Sequence, residues 1–446
     1  MSDPTSSRGG FASRLGFVLA AAGSAVGLGN IWKFPYITGE YGGGAFVIVY
    51  LACILLVGLP LMYAELIIGR RGGKDVLGSL RALTAGSSAG TALSWGVGGL
   101  AVATGFIILS FYSVVAGWAV YYVLAYLGVV ELGNGGTMFN GLLGQTLSVP
   151  WHTLFMVMTI VVVIGGVQGG IEKACKVLMP ALAAILLAML VYVGIDGGLA
   201  ESARFLFAPD FSKLSGEAVL EALGHAFFTL SLGMGAMVTY GSYLGSEQAV
   251  VRDGVLVAVL DTIIALVAGL VIFAVVFAHG AEPAAGPGLV FVNLPSLFEQ
   301  LPGGRVFGLA FFVLLVFAAL SSAISLLEVV VAFLVDTLGV GRKLASIGVG
   351  GAIWLLGLWS AVDASKLDLF DQITTNYMLP LGGFGIAVAA GWLLAKEDRE
   401  SGFLAFAGDL GPLLAKGWTL TIRYVTPVLV LLVIAYKAKF FELGGA

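Results

Sequence analysis

Residues 254–278 form an apolar run broken by one charged side chain, Asp261, and residues 306–327 carry no charge at all. About 18 or more apolar residues in a row are enough to cross a bilayer as a helix. Several such runs in one chain call for a bundle of membrane helices, because lipid gives an unpaired backbone group no partner. A barrel is excluded, since its strands would alternate in segments of about ten residues. Composition agrees: 59% of residues are hydrophobic and 11% charged, where soluble domains carry about 25% charged residues. Mean hydropathy is +1.02. The net charge of −4 offers no electrostatic basis for a nucleic-acid partner. Cys53 and Cys175 fall near opposite predicted faces, so no disulfide is expected. The first apolar segment runs into Asn-Ile-Trp-Lys rather than a cleavage site, so no signal peptide is expected.

Hydropathy places eleven spans near 13–36, 44–69, 92–127, 152–169, 174–195, 217–243, 251–280, 303–338, 344–361, 368–395 and 417–438. Most of the 22 Lys and Arg fall in loops on the side of the N-terminus. By the positive-inside rule that side is cytoplasmic. Loops are short, so residues 1–446 read as one membrane domain with the lipid bilayer as its surroundings and no obligate protein partner. The polar stretch Lys396 to Lys416 reads as a cytoplasmic connector. There is no Gly-Lys-[Ser/Thr] phosphate loop, so an ATP-driven enzyme is not expected.

Two spans are interrupted. The first contains Gly23, Gly27 and Gly29, which make a helix costly there, followed by Asn30, Lys33 and Pro35. Close helix packing through small residues would explain Gly23 and Gly27 but not the amide, the cation or the proline. The sixth span carries Gly233 and Gly235 beside Thr229 and Ser231. Spans one and six hold the same place in two five-helix halves, about 13–195 and 217–395. Five being odd, the halves run in opposite senses. Paired breaks at matching positions of inverted halves point to a transporter's midplane site.

Gly23-Ser-Ala-Val-Gly-Leu-Gly-Asn-Ile-Trp-Lys-Phe-Pro35, Gly42-Gly-Gly-Ala-Phe46 and Phe227-Phe-Thr-Leu-Ser-Leu-Gly233 resemble the neurotransmitter:sodium symporter family, in its bacterial amino-acid transporter branch. The likeness spans essentially the whole chain. It implies an all-α fold of five plus five inverted helices, helices 1 and 6 unwound, with an eleventh helix near 417–438. It also implies sodium-coupled symport by alternating access.

The resemblance assigns the substrate carboxylate to the amides of Leu28 and Gly29 and the hydroxyl of Tyr112. It assigns the ammonium to carbonyls of Ala25, Phe228 and Thr229. Ile108, Phe228, Ser231, Met234 and Leu326 would line the side-chain pocket, with Phe228 and Tyr112 as its roof. Monoamine carriers of the family place an Asp at the position of Gly27, so Gly27 points to zwitterionic amino acids. A bacterial relative has Phe where Met234 stands, and the flexible Met favours bulky apolar or aromatic side chains.

Two Na⁺ sites are implied. The first takes the Ala25 carbonyl, Asn30, Thr229, Asp261 and the substrate. The second takes carbonyls of Gly23, Val26 and Ala318 with hydroxyls of Ser321 and Ser322. A relative has Asn at position 261 and Glu one turn later, where this chain has Ala265. The expectation is that Asp261 supplies the fixed anion and that transport needs no chloride. His225 stands where Gln is usual; it is expected as a satisfied structural histidine, with proton countertransport through His225, Asp261 or Glu65 as the other reading. Glu65 and Glu328 are expected to be buried structural or gating groups. Lys33 with Asp371 resembles the extracellular gate and Arg8 with Asp336 the cytoplasmic one. Gly170 and Pro180 bracket a pattern that accompanies unwinding of the fifth helix in a relative, with a simple kink as the alternative. The expected function is uptake of hydrophobic or aromatic L-amino acids. The alternatives are a carrier of another amine or osmolyte, and a nontransporting amino-acid sensor.

Overall fold

The computed structural model describes residues 9–84, 88–245, 249–283, 286 and 288–438, and the described residues are helical without strands. Eight helices are long and apolar enough to cross a membrane, and one bent pair makes a ninth. We label the spans in chain order. The bent pair, Arg14–Ala25 with Gly29–Glu40, is α1; Gly44–Gly72 is α2 and Gly90–Leu127 is α3. The shorter apolar helix Ser148–Ile164 is α4, and Val167–Ile195 is α5. Span α6 is split into Gly216–Thr229 and Ala236–Gly241, which is why neither half qualifies alone. Then follow α7 (Val250–Ala278), α8 (Gly304–Leu338), α9 (Arg342–Val362) and α10 (Ala364–Leu393). The last span, α11, covers 411–437 as Gly411–Leu420 and Thr426–Lys437 joined by a π turn.

Spans α1 and α6 are enclosed by the others. Span α1 packs on α5, α7 and α8, while the second half of α6 lies on α2. Small residues permit the close approaches, as membrane helices require when no hydrophobic effect drives them together. At Gly233, with φ +80°, a Cβ would stand 2.2 Å from the Leu379 carbonyl oxygen of α10. The start of α1 is clamped by acids from two other spans. Glu172 accepts from the Ala12 amide at 2.7 Å and the Ser13 hydroxyl at 2.9 Å. Asp253 of α7 pairs with Arg14 at 2.7 Å.

The connector stretch Lys396 to Lys416 is itself helical: Lys396–Ala407 is a connector helix, and the next helix starts at Gly411. Phe403 and Trp418 set their rings against Tyr63 of α2 at 4.7 and 4.9 Å, which anchors both helices to the bundle. In α5, a π turn at Val167–Glu172 holds Gly170, and Lys173–Asp196 then runs helical through Pro180. The chain is therefore not unwound between Gly170 and Pro180, and neighbours in a bundle can re-satisfy the carbonyl that proline frees.

Candidate functional site

The break in α1 begins at Val26, whose ψ of 104° is extended rather than helical. Glycine is required next. A Cβ on Gly27 would lie 2.4 Å from Ser322 Oγ and 2.8 Å from the Tyr112 hydroxyl. The backbone freed by the break is taken up locally. Asn30 Oδ1 accepts from the Gly27 amide at 3.0 Å, and the Tyr112 hydroxyl accepts from the Leu28 amide at 3.2 Å.

The break in α6 faces it. Ser231 is the one non-glycine described residue with positive φ, 54°. Such backbone is costly and persists where surrounding contacts hold it. Here the Ser231 hydroxyl donates to the Ser24 carbonyl at 2.7 Å, joining the two breaks. Glu65 of α2 holds the far side, accepting from the Gly233 amide at 2.7 Å. An acid beside loose amides next to a helix start suits the backbone dipoles there.

Between the breaks lies a narrow cavity of about 20 Å³, room for the centre of about one water. Ala25, Leu28, Gly29, Ile108, Tyr112, Phe228, Ser231, Met234 and Leu326 line it, together with Ser24, Gly27 and Ser322. Of the expected substrate residues, only Thr229 is outside the lining. Phe228 packs on Gly29, where a Cβ would stand 3.2 Å from its ring.

Thr229 belongs to a second cluster. Its hydroxyl donates to the two Asp261 carboxylate oxygens at 3.1 and 3.2 Å. Asn30 Nδ2 donates to Asp261 Oδ1 at 2.7 Å and to the Asp261 carbonyl at 3.1 Å. All three residues are buried. An unpaired intramembrane carboxylate costs about 2.5–3.5 kcal/mol even on insertion scales, and these donors offset that cost.

A third cluster sits where α8 meets α1. The Ser322 hydroxyl faces the carbonyls of Gly23, Ser24 and Val26 at 3.2, 3.0 and 3.2 Å. Ser321 lies alongside, its hydroxyl 3.0 Å from the Ala318 carbonyl, and a Cβ on Gly23 would come within 3.0 Å of Ser321 Cβ. Among the described residues no three His, Cys, Asp or Glu group as a metal site. The donors are instead carbonyls, hydroxyls, an amide and one carboxylate, the oxygen set that hard cations prefer.

Toward the opposite end of the bundle from Arg14, Lys33 stands 3.8 Å from Asp371 and 5.1 Å from the centre of the Phe228 ring. Arg8 lies outside the described residues, so its pairing with Asp336 has no geometry; Asp336 accepts from the Asp75 amide at 2.7 Å. Glu328 pairs with Arg342 and accepts from Tyr243 at 2.5 Å. His225 departs from expectation. Its ring stacks on Phe34 and meets Tyr50 at 5.4 Å, but neither ring nitrogen has a hydrogen-bond partner among the described residues. The aromatic rings of Phe34 and Tyr50 pack around it instead.

Sequence reasoning overlooked Ser24 and Ser325, whose hydroxyls join at 2.7 Å and tie α1 to α8. A serine in a membrane helix ordinarily bonds its own backbone, so only its place inside the break could have marked Ser24.

The sodium:neurotransmitter symporter family model matches residues 8–131 and 140–443. An uncharacterized sodium-dependent transporter of Bacillus subtilis, YhdH, is 36% identical over 443 residues, covering 95% of this chain and 96% of that one. An uncharacterized sodium-dependent transporter of Haemophilus influenzae is 31% identical, with 95% and 96% covered. The crystal structure of MhsT in complex with L-phenylalanine is 43% identical, covers 96% of this chain and 100% of that one, and superposes with a TM-score of 0.87. The broken α1 and α6, the oxygen clusters between them and these matches over nearly the whole length agree, and the chain belongs to the sodium:neurotransmitter symporter family of sodium-coupled membrane transporters.

Proposed function

We propose that this chain carries hydrophobic or aromatic L-amino acids into the cell with two sodium ions, without chloride, from an inner membrane in which its N-terminus is cytoplasmic. The observation that carries the reading is the Gly27 break. Backbone amides released from the helix there, held only by the side chains of Asn30 and Tyr112, suit a carboxylate, and the steric contact with Ser322 and Tyr112 leaves no space for a side-chain acid at 27. The substrate must therefore bring its own carboxylate. Ile108, Phe228, Met234 and Leu326 give the wall an apolar character, and the likeness to a structure in complex with L-phenylalanine supports the same class.

Asn30, Thr229 and Asp261 would hold one sodium with the Ala25 carbonyl and the substrate. Gly23, Val26, Ala318, Ser321 and Ser322 would hold the other. Sharing one ion with the substrate carboxylate couples the sodium gradient to uptake. Lys33 and Asp371 would close the outer mouth.

Purified protein in proteoliposomes tests this. Labelled phenylalanine, tryptophan or leucine is expected to accumulate when sodium is higher outside, and to accumulate equally when gluconate replaces chloride. Loss of uptake in gluconate would refute the role given to Asp261. Sodium-dependent binding without uptake would make the protein a sensor instead of a carrier.

Pocket size gives a second test. Met234 is unbranched and can move aside, whereas a ring at this position is stiffer. In a binding scan over the twenty amino acids, Met234→Phe is expected to shift preference toward smaller side chains. An unchanged ranking would remove Met234 from the pocket.

A further inference from the structure

A cavity of about 650 Å³ lies where α10 ends and the connector helix and α11 begin, at the end of the bundle that carries Arg71. Four cations line it, Lys396, Arg399, Lys416 and Arg423, against one acid, Glu400. The local carboxylates are already engaged. Glu400 pairs with Lys396 at 3.7 Å, and Asp398 pairs with Arg71 at 3.1 Å. Among the described residues Arg399, Lys416 and Arg423 form no ion pair.

Two of these charges are held together. Arg399 and Arg423 both donate to the Gly391 carbonyl, at 2.9 and 2.5 Å, so their guanidiniums are neighbours that repel one another. Capping the end of α10 accounts for one N–H of each. It does not account for bringing two half-buried guanidiniums and an ammonium into one cavity. Arg is suited to phosphate because its fork of donors matches that geometry.

The remaining wall is apolar and open. Leu413 is 67% exposed and Leu420 59%, and Tyr424 meets Trp392 edge-on at 6.0 Å, both rings exposed. Exposed Leu next to Trp and Tyr marks the level at which a membrane protein passes from acyl chains to headgroups. Cations at that level, in a pocket between helices, face lipid phosphate rather than bulk solvent.

We propose that this cavity binds the phosphate of an anionic phospholipid, held by Arg399, Lys416 and Arg423, with an acyl chain along Leu413, Leu420 and Tyr424. A bound lipid would tie the connector helix and α11 to the end of α10. Because α10 also carries Asp371 and packs on the α6 break, lipid composition would reach the transport site through that helix.

The full-length protein, purified in detergent, is titrated with phosphatidylglycerol and separately with phosphatidylcholine, and bound lipid is counted by native mass spectrometry. Phosphatidylglycerol is expected to bind at one lipid per chain, well ahead of phosphatidylcholine. Lys416→Gln is the cleanest variant, since the Lys416 side chain has no hydrogen bond or ion pair among the described residues. It should weaken phosphatidylglycerol about fivefold, the effect of one cation near an anionic surface, and leave thermal unfolding unchanged. Lys416→Arg should restore binding. Arg423→Gln should weaken it further, with the unfolding temperature reporting any cost from losing the Gly391 cap. Equal affinity for the two lipids, or an unaffected Lys416→Gln variant, would overturn the proposal. Displacement of the lipid by millimolar inorganic phosphate would also overturn it, because the site would then take the free anion.

Discussion

Asp261→Asn will raise the sodium concentration needed for half-maximal uptake by about tenfold or more, while the protein continues to fold. The substitution keeps an oxygen for Asn30 Nδ2 to reach, 2.7 Å away in the native arrangement, and keeps the volume of the side chain. What it removes is the charge. Hydrogen bonds to charged groups are worth about 1.5–3 kcal/mol, against about 1 for neutral ones, and the proposed sodium site loses its one anionic protein ligand besides. Asp261→Ala is the harsher case. It leaves the Asn30 amide only the main-chain carbonyl at 261 and takes both carboxylate acceptors from the buried Thr229 hydroxyl, and an unsatisfied buried polar group costs about 1–3 kcal/mol. Its loss of activity would therefore mix misfolding with lost binding. The asparagine variant separates the two, and sodium-dependent uptake in proteoliposomes over a sodium series reads the effect. A sodium midpoint equal to that of the native protein would remove Asp261 from the ion site.

Asp261 also shows why part of the site could be read from sequence. It is the one charge in residues 254–278, and lipid penalises such a charge unless something pairs it. The same reasoning exposed the break in α1, where three glycines, an amide and a lysine contradict a plain membrane helix. The breaks could be placed because they violate local rules. Ties between distant segments leave no such trace. Glu172 caps the start of α1 across 160 positions in the chain, and Arg14 meets Asp253 across 239. Nothing in the spacing of these residues announces the contact. Ser24 and Ser325 were hidden for a related reason, because either could have bonded within its own helix. The mixture of charges in the connector does not announce that it is helical. Its helices are fixed by Phe403 and Trp418 packing on Tyr63, a tertiary contact that composition cannot express.

Gly27→Ala will abolish sodium-dependent substrate binding, an effect on the order of a hundredfold or more, although the change adds a single methyl group. The added Cβ would meet Ser322 Oγ at 2.4 Å and the Tyr112 hydroxyl at 2.8 Å. Either side chain can turn aside, but each turn has a consequence. Moving Ser322 takes its hydroxyl away from the carbonyls of Gly23, Ser24 and Val26. Moving Tyr112 breaks the hydrogen bond from the Leu28 amide. The methyl thus disturbs the proposed second sodium site or the proposed carboxylate site, whichever way it is accommodated. Displacements of about 1 Å in a preorganised site are enough to cost on the order of a hundredfold. Helix propensity acts in the other direction, since alanine is favoured over glycine by about 1 kcal/mol, so a fall in activity cannot come from a weaker helix. Gly99→Ala, within α3, is the control, because a Cβ there meets nothing within 4 Å. Sodium-dependent binding of labelled amino acid to the purified variants distinguishes the two positions. Native-like binding by Gly27→Ala would mean that the break can widen without loss, and the argument that Gly27 selects substrates bearing their own carboxylate would fail with it.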